Sequence, residues 1–169
     1  MRAGHSSEIY CLDADALINI QLYYPKALKE INRCGKGGKI VIPEGVYREL
    51  CRKSDRLKDM VQTWHGKHSA VIRLNTQTLL GEVARMEKTY GERIYLGQQQ
   101  RKGFWASKSG RRAADSQVVA VCKVNKYIAV SNDQAVQDAC HIENVPCITW
   151  QEFYRRMKQG FTGQGLLFD

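Results

Sequence analysis

Ile9-Tyr-Cys-Leu-Asp13-Ala-Asp15-Ala-Leu17-Ile18 is the stretch on which the fold turns. Ile9 to Leu12 form a short apolar run that stops at an acid, the pattern of a buried strand. Beyond Asp13 the period changes: Ala16 to Ile20, then Ala27, Leu28 and Ile31, fall at helical spacing. Working outward, Gly35, Gly37 and Gly38 break that helix, and Lys39-Ile-Val-Ile42 is a second short strand bounded by Pro43. Proline is tolerated in a first helical turn, so a helix runs from Pro43 to about Arg52, with Val46 and Leu50 four apart and Glu49 near its end. Further on, Ala113, Ala114, Val118, Val121 and Cys122 make a helix face. Tyr127 to Val130 is a strand, Gln134 to His141 a helix, Val145 to Thr149 a strand, and Trp150 to Lys158 a closing helix. Alternation of strand and helix predicts an α/β fold, a central, mostly parallel sheet covered by helices on both faces.

The middle of the chain, residues 53–112, carries a weaker pattern. Charged helical stretches around Arg56 to His65 and Thr78 to Tyr90 flank a short strand at Ala70 to Leu74. Residues 98–110, polar, basic and glycine-containing, read as a loop or loosely held arm. Trp64, His65 and His68 read as structural. At 169 residues the chain has the length of one domain able to bury a core, so we expect a single domain over 1–169 with an extended basic middle.

Lys and Arg number 26 against 17 Asp and Glu, a formal net charge of +9, which favours a polyanionic partner. The excess is concentrated in residues 53–112. The six cysteines sit mostly among aliphatic residues without paired spacing and read as buried thiols of a reducing compartment rather than a disulfide framework. There is no CxxC, so a structural zinc site would need scattered ligands. The first eight residues are short and polar, and no run approaches the ~18 apolar residues of a membrane span, so a cytoplasmic, soluble protein is expected.

In an open parallel sheet, ligands bind beyond the carboxyl ends of the strands. Asp13 directly follows the first strand, Asp133 follows the strand ending at Val130, Asp115 opens the helix before that strand, and Glu49 lies on the helix after the second. Taken singly, each acid reads as a helix cap or a solvated residue. As a set converging on one cleft they would repel each other unless cations stood between them, which points to Mg²⁺ or Mn²⁺ and to phosphate chemistry. Acids clustered in an otherwise basic protein suit a polyanionic substrate when metal ions convert them.

Four segments carry a resemblance to the PIN-domain family: Ile9 to Ile18; Ile42-Pro43-Glu-Gly-Val46-Tyr-Arg-Glu49-Leu50; Ala113-Ala-Asp115-Ser-Gln-Val-Val-Ala-Val-Cys122; and Val130-Ser-Asn-Asp133-Gln-Ala-Val136, continuing to Val145-Pro-Cys-Ile-Thr-Trp150 and Phe153. Each is weak alone; four in order are specific. The resemblance implies a three-layer Rossmann-like sheet, metal-dependent hydrolysis of RNA, and often a VapC-type toxin role with a cognate antitoxin; relatives also often form homodimers. Carried over residue by residue, Asp13, Glu49, Asp115 and Asp133 bind metal. The sequence departs from the family at Asp15, where Ser, Thr or Asn is common. That acid either caps the first helix, the reading we favour, or contacts the metal site from behind or adds a ligand charge. The long middle segment resembles the larger family members, which bears on the toxin role and not on the fold.

Asp138 is a fifth-acid candidate, although five residues beyond Asp133 it turns away on an ideal helix, favouring a surface role. Lys108, Arg111 and Arg112 precede Asp115 and are candidates for holding phosphate, and Trp105, beside Phe104 among basic residues, for stacking on an unpaired base. A solvated loop and core or oligomer packing are the competing readings for these. The expected activity is an Mg²⁺- or Mn²⁺-dependent endoribonuclease in which water attacks phosphorus in line and no side chain serves as nucleophile. The alternative is a PIN-fold protein without catalysis, binding nucleic acid or regulated by a partner. A dinucleotide-binding protein is disfavoured, because no GxGxxG follows the first strand.

Overall fold

The structure is a computed structural model that describes residues 8–160 apart from 92, 97 and 105–111. In chain order its elements are β1 (Tyr10–Leu12), α1 (Ala14–Tyr23), a 3-10 turn (Pro25–Ala27), α2 (Leu28–Lys36), β2 (Ile40–Pro43), α3 (Glu44–Leu50), α4 (Arg56–Lys67), β3 (Val71–Ile72), α5 (Gln77–Tyr90), β4 (Arg93–Leu96), β5 (Gln99–Lys102), α6 (Arg112–Asn125), β6 (Ile128–Val130), α7 (Gln134–Ile142), β7 (Cys147–Ile148) and α8 (Trp150–Lys158). Five strands form one parallel sheet in the order β3-β2-β1-β6-β7. Tyr10 lies opposite Ile40 on one side and Ile128 on the other. The central strands are buried on both faces, which is why they read as unbroken apolar runs rather than alternating ones.

From β1 the chain steps outward through β2 to β3, then returns past both to β6 and β7 on the other side. Right-handed crossovers place helices laid down in these opposite directions on opposite faces. Accordingly α6 packs on β1, β2 and β6 with α5 and α7 beside it, whereas α1 meets α4 and α8, and α2 meets α4. The α/β architecture with helices on both faces is therefore as expected. No described helix is long and apolar enough to cross a membrane.

Much of the middle of the chain is core. Trp64 on α4 is fully buried, and its indole N–H donates to Asn32 Oδ1 on α2 at 2.9 Å. The ring lies so close to Gly35 that a Cβ there would sit 2.4 Å from it, so only glycine lets α2 and α4 approach this far. Residues 99–102, read from sequence as loop or arm, instead form β5, paired antiparallel with β4. This hairpin lies outside the main sheet, and Ile94 is its buried anchor, so the polar Gln99 to Lys102 needed no apolar alternation to pair.

A polar node joins this region to the rest. Glu143, just past α7, accepts from Arg85 Nη2 at 2.6 Å, from Tyr90 and from Lys123, so α5 and α6 are tied to the end of α7. Burial pushes the Glu143 carboxyl up, but hydrogen bonds from Arg85, Lys123 and Tyr90 outweigh that and hold it at about 2. Its folded value lies below its unfolded one, so its contribution is present above about pH 4.3 and is lost as pH falls towards 2. Glu143→Gln is expected to lower stability by about 2 kcal/mol at pH 7, since Arg85 and Lys123 are partly exposed and rehydrate. Urea titrations at pH 7 and pH 3 check this: the gap between the two proteins narrows at the lower pH.

Candidate active site

The direction of winding reverses between β1 and β6, and the two neighbouring strands send their chains to opposite faces. Beyond their carboxyl ends such a reversal leaves a crevice. Asp13 enters it from β1. Its backbone N–H donates to Val130 O at 3.2 Å, and its side chain caps α1 by accepting from Ala16 N at 2.7 Å. The second carboxylate oxygen accepts from the Ser131 hydroxyl. Ser131 in turn accepts from the backbone N–H of Asp133 at 3.1 Å, so one small buried hydroxyl connects the first acid to the loop carrying the last.

Asp13 is 6% exposed. Burial raises its carboxyl to about 7 against the opposing hydrogen bonds from Ser131 and Ala16, and the nearby charges of Asp15 and Asp115 push the same way. The structure thus brings Asp15 and Asp115 within electrostatic reach of Asp13. Asp115 lies in the first turn of α6, half-buried, where the helix dipole favours negative charge. Asp133 caps α7, accepting from Ala135 N at 2.9 Å and Val136 N at 3.3 Å.

Glu49 is half-buried on α3, which packs against α1 and α6. That packing has a specific clamp: the Gly45 N–H donates to Gln117 Oε1 at 2.7 Å, and a Cβ on Gly45 would lie 3.0 Å from Ala114 Cα. Glycine at 45 therefore lets α3 press against the first turns of α6, beside Asp115. Among the described residues no three His, Cys, Asp or Glu side chains already stand as a group able to enclose a metal ion. The carboxylates of Asp13, Glu49, Asp115 and Asp133 offer oxygen donors, the chemistry that hard divalent cations take.

Asp15 does not cap the first helix; Asp13 does, and Asp15 is exposed within the first turn, because the strand ends at Leu12 and the helix starts at Ala14, two residues earlier than a cap at 15 requires. Asp138 accepts from Gln134 Nε2 at 2.7 Å, an i,i+4 pair on α7. Trp105, Lys108 and Arg111 lie outside the described residues, and Arg112 opens α6 with its side chain outside them too. Phe104 stacks on Tyr90 with centroids 5.5 Å apart, a packing role. Sequence reasoning missed Ser131 and Gln117; nothing in their spacing separates a buried hydroxyl or amide that braces an acid from any other polar residue near a strand end.

Fold and site together define an open-sheet α/β protein with Asp13 buried at its topological switch point and Asp15 and Asp115 within electrostatic reach of it. The chain belongs to the family described as a domain of unknown function, DUF4411, whose model matches residues 10–161. No curated protein matches it. Among solved structures it is similar to PAE2754 from Pyrobaculum aerophilum, at 15% identity over 89% of this chain and 96% of that one, with a TM-score of 0.48. It is also similar to VapBC-1 from nontypeable Haemophilus influenzae, at 14% identity over 85% and 98%, TM-score 0.49. A third is VapBC2 from Rickettsia felis bound to a DNA fragment from their promoter, at 14% identity over 84% and 98%, TM-score 0.48.

Proposed function

We propose that the protein is a metal-dependent ribonuclease that hydrolyses RNA phosphodiester bonds, with Asp13, Glu49, Asp115 and Asp133 holding Mg²⁺ or Mn²⁺. The observation that carries the reading is Asp13: a buried carboxylate, raised to about 7 by burial and further by Asp15 and Asp115, set at the switch point of the sheet. Such a group is costly to ionise until a cation stands beside it. A bound divalent ion supplies a lowered pKa for water and neutralises charge on the phosphate. Ser131 and the Ala16 N–H fix the orientation of the Asp13 carboxylate, and the Gly45–Gln117 clamp holds the Glu49 helix against the helix of Asp115. A net charge of +9 favours approach of the polyanion.

Purified wild-type chain and Asp115→Asn are to be incubated with a labelled RNA pool in Mg²⁺, Mn²⁺ or EDTA, and the product ends read. Metal-dependent cutting by the wild type alone, leaving 5′-phosphate and 3′-hydroxyl ends, is the expected outcome. Ends carrying 2′,3′-cyclic phosphate would overturn it, since they require attack by the 2′-hydroxyl. RNA binding without cutting would move the protein to the non-catalytic alternative. A toxin restrained by an antitoxin is the narrower form of the proposal, and its expected sign is growth arrest on induction of the wild type but not of Asp115→Asn.

A further inference from the structure

Two surface features outside the acid edge adjoin each other. The first is aromatic. Tyr23, 61% exposed at the end of α1, stacks parallel to Trp150 with centroids 5.8 Å apart, and Tyr24, 42% exposed, stacks on Tyr154 at 4.2 Å. One face of the Tyr23 ring is covered by Trp150, and its exposure leaves the rest of the ring open to solvent. The platform is anchored to the active edge, because the Trp150 backbone N–H donates to Asn132 Oδ1 at 2.8 Å, next to Asp133.

The second feature is a line of cations that begins two residues beyond the tyrosines. Lys26 on the 3-10 turn, then Lys29 and Lys36 on α2, recur at helical spacing over about 15 Å of axis. Arg56, at the start of α4, faces the same groove. This open groove of about 720 Å³ is lined by Lys26, Lys29, Asn32 and Arg56 with Pro25, Leu28 and Met60, and a second of about 650 Å³ continues it to Lys36, lined also by the paired Glu30 and Arg33. All four cations are exposed, and none has an ion pair among the described residues, whereas Arg33 beside them is held by Glu30. Elsewhere Arg85, Lys123, Arg155 and Arg156 are committed to carboxylates. Four uncommitted charges along a groove whose lining begins at Pro25, directly after the partly exposed Tyr23 and Tyr24, match what a single-stranded polynucleotide presents: regularly spaced phosphates and stackable bases. An acidic protein segment would meet the cations but has no use for the open rings.

We propose that Tyr23, Tyr24, Lys26, Lys29, Lys36 and Arg56 form a track that binds single-stranded RNA leading to the acid edge. This rests on the ribonuclease reading for the identity of the strand, but not for the geometry. The sequence placed the basic surface in residues 53–112; three of these four cations lie before it.

The test is fluorescence anisotropy with a labelled oligouridylate long enough to cross both grooves, using Asp115→Asn as parent so that the strand is not cut. Lys26→Ala with Lys29→Ala should reduce the magnitude of the slope of log affinity against log salt by about 1.4, two phosphate contacts on a single strand. Tyr23→Ala should weaken binding roughly 10-fold with the slope unchanged, and Tyr23→Phe should bind as the parent does. Lys26, Lys29 and Tyr23 are all exposed, and far-UV dichroism is to check that each variant folds as the parent does. Parental affinity and slope in both the lysine and the Tyr23→Ala variants would overturn the track. So would tight binding of an oligoglutamate peptide with none of the RNA, which would assign the surface to a protein partner. The nuclease reading fails separately, by absence of cutting in the wild type while the track still binds.

Discussion

Asp13→Asn is expected to abolish RNA cleavage and, at the same time, to make the metal-free protein more stable. For activity we expect a fall of about 10³-fold or more, the factor that about 4 kcal/mol of lost transition-state stabilisation produces. For stability the cause is the Asp13 carboxyl, raised to about 7. A folded pKa above the unfolded one, about 3.9, means that the native state binds the extra proton between those values. Stability of the wild type therefore falls as pH rises from about 4 to 7 and levels off above. An upward shift of this size corresponds to about 4 kcal/mol. Asparagine carries no charge and removes that penalty, but Ser131 loses its acceptor and must turn, which costs about 1–2 kcal/mol. The net gain should be about 2 kcal/mol at pH 7.5, or roughly 4–8 °C in melting temperature. Thermal melts of both proteins at pH 4.5 and pH 7.5, with EDTA and with Mg²⁺, decide it. The variant's advantage should appear only at the higher pH, and Mg²⁺ should raise the wild-type melting temperature while leaving the variant unchanged. A variant less stable than the wild type at pH 7.5 would show that Asp13 serves the fold as a cap rather than carrying a charge under strain.

Trp64→Ala is expected to cost about 3–5 kcal/mol, the range for truncating a fully buried aromatic, and to lower the melting temperature by roughly 6–20 °C. The loss has two parts. The indole leaves a cavity between α4 and α2, and the Asn32 carbonyl loses its donor. Gly35→Val should be destabilising for the converse reason, since its Cβ would overlap the indole at 2.4 Å. Combining the two substitutions restores part of the volume, so the double variant should be less destabilised than the sum of the singles, a coupling readable from three denaturant curves. Strict additivity would mean that the two side chains do not share the space between the helices.

The strands and most helices were legible because burial on both faces leaves a direct mark: Tyr10 to Leu12, Ile40 to Ile42 and Ile128 to Val130 can be little else once helical periods flank them. The position of Asp13 and Asp133 at strand ends was legible for the same reason, since a strand's end is local information. β5 was not, because its pairing is made by backbone groups that every sequence possesses. Asp15 was misread as a cap although the strand end was placed correctly, because Asp13 and Asp15 are equally good capping residues and only the backbone shows that the helix begins at Ala14, two residues earlier than a cap at 15 requires.

By itself, then, the sequence determined the alternation of strand and helix, the excess of positive charge and the acids available at strand ends, all of which are properties of short segments. Only the tertiary structure decided that β1 and β6 are neighbours and that Ser131 braces Asp13. It also decided that the Asp13 carboxyl is buried enough to stand at about 7, and that Tyr23 lies against Trp150. These depend on contacts between residues more than a hundred positions apart, where burial and charge act through space and local pattern carries no trace of the partner.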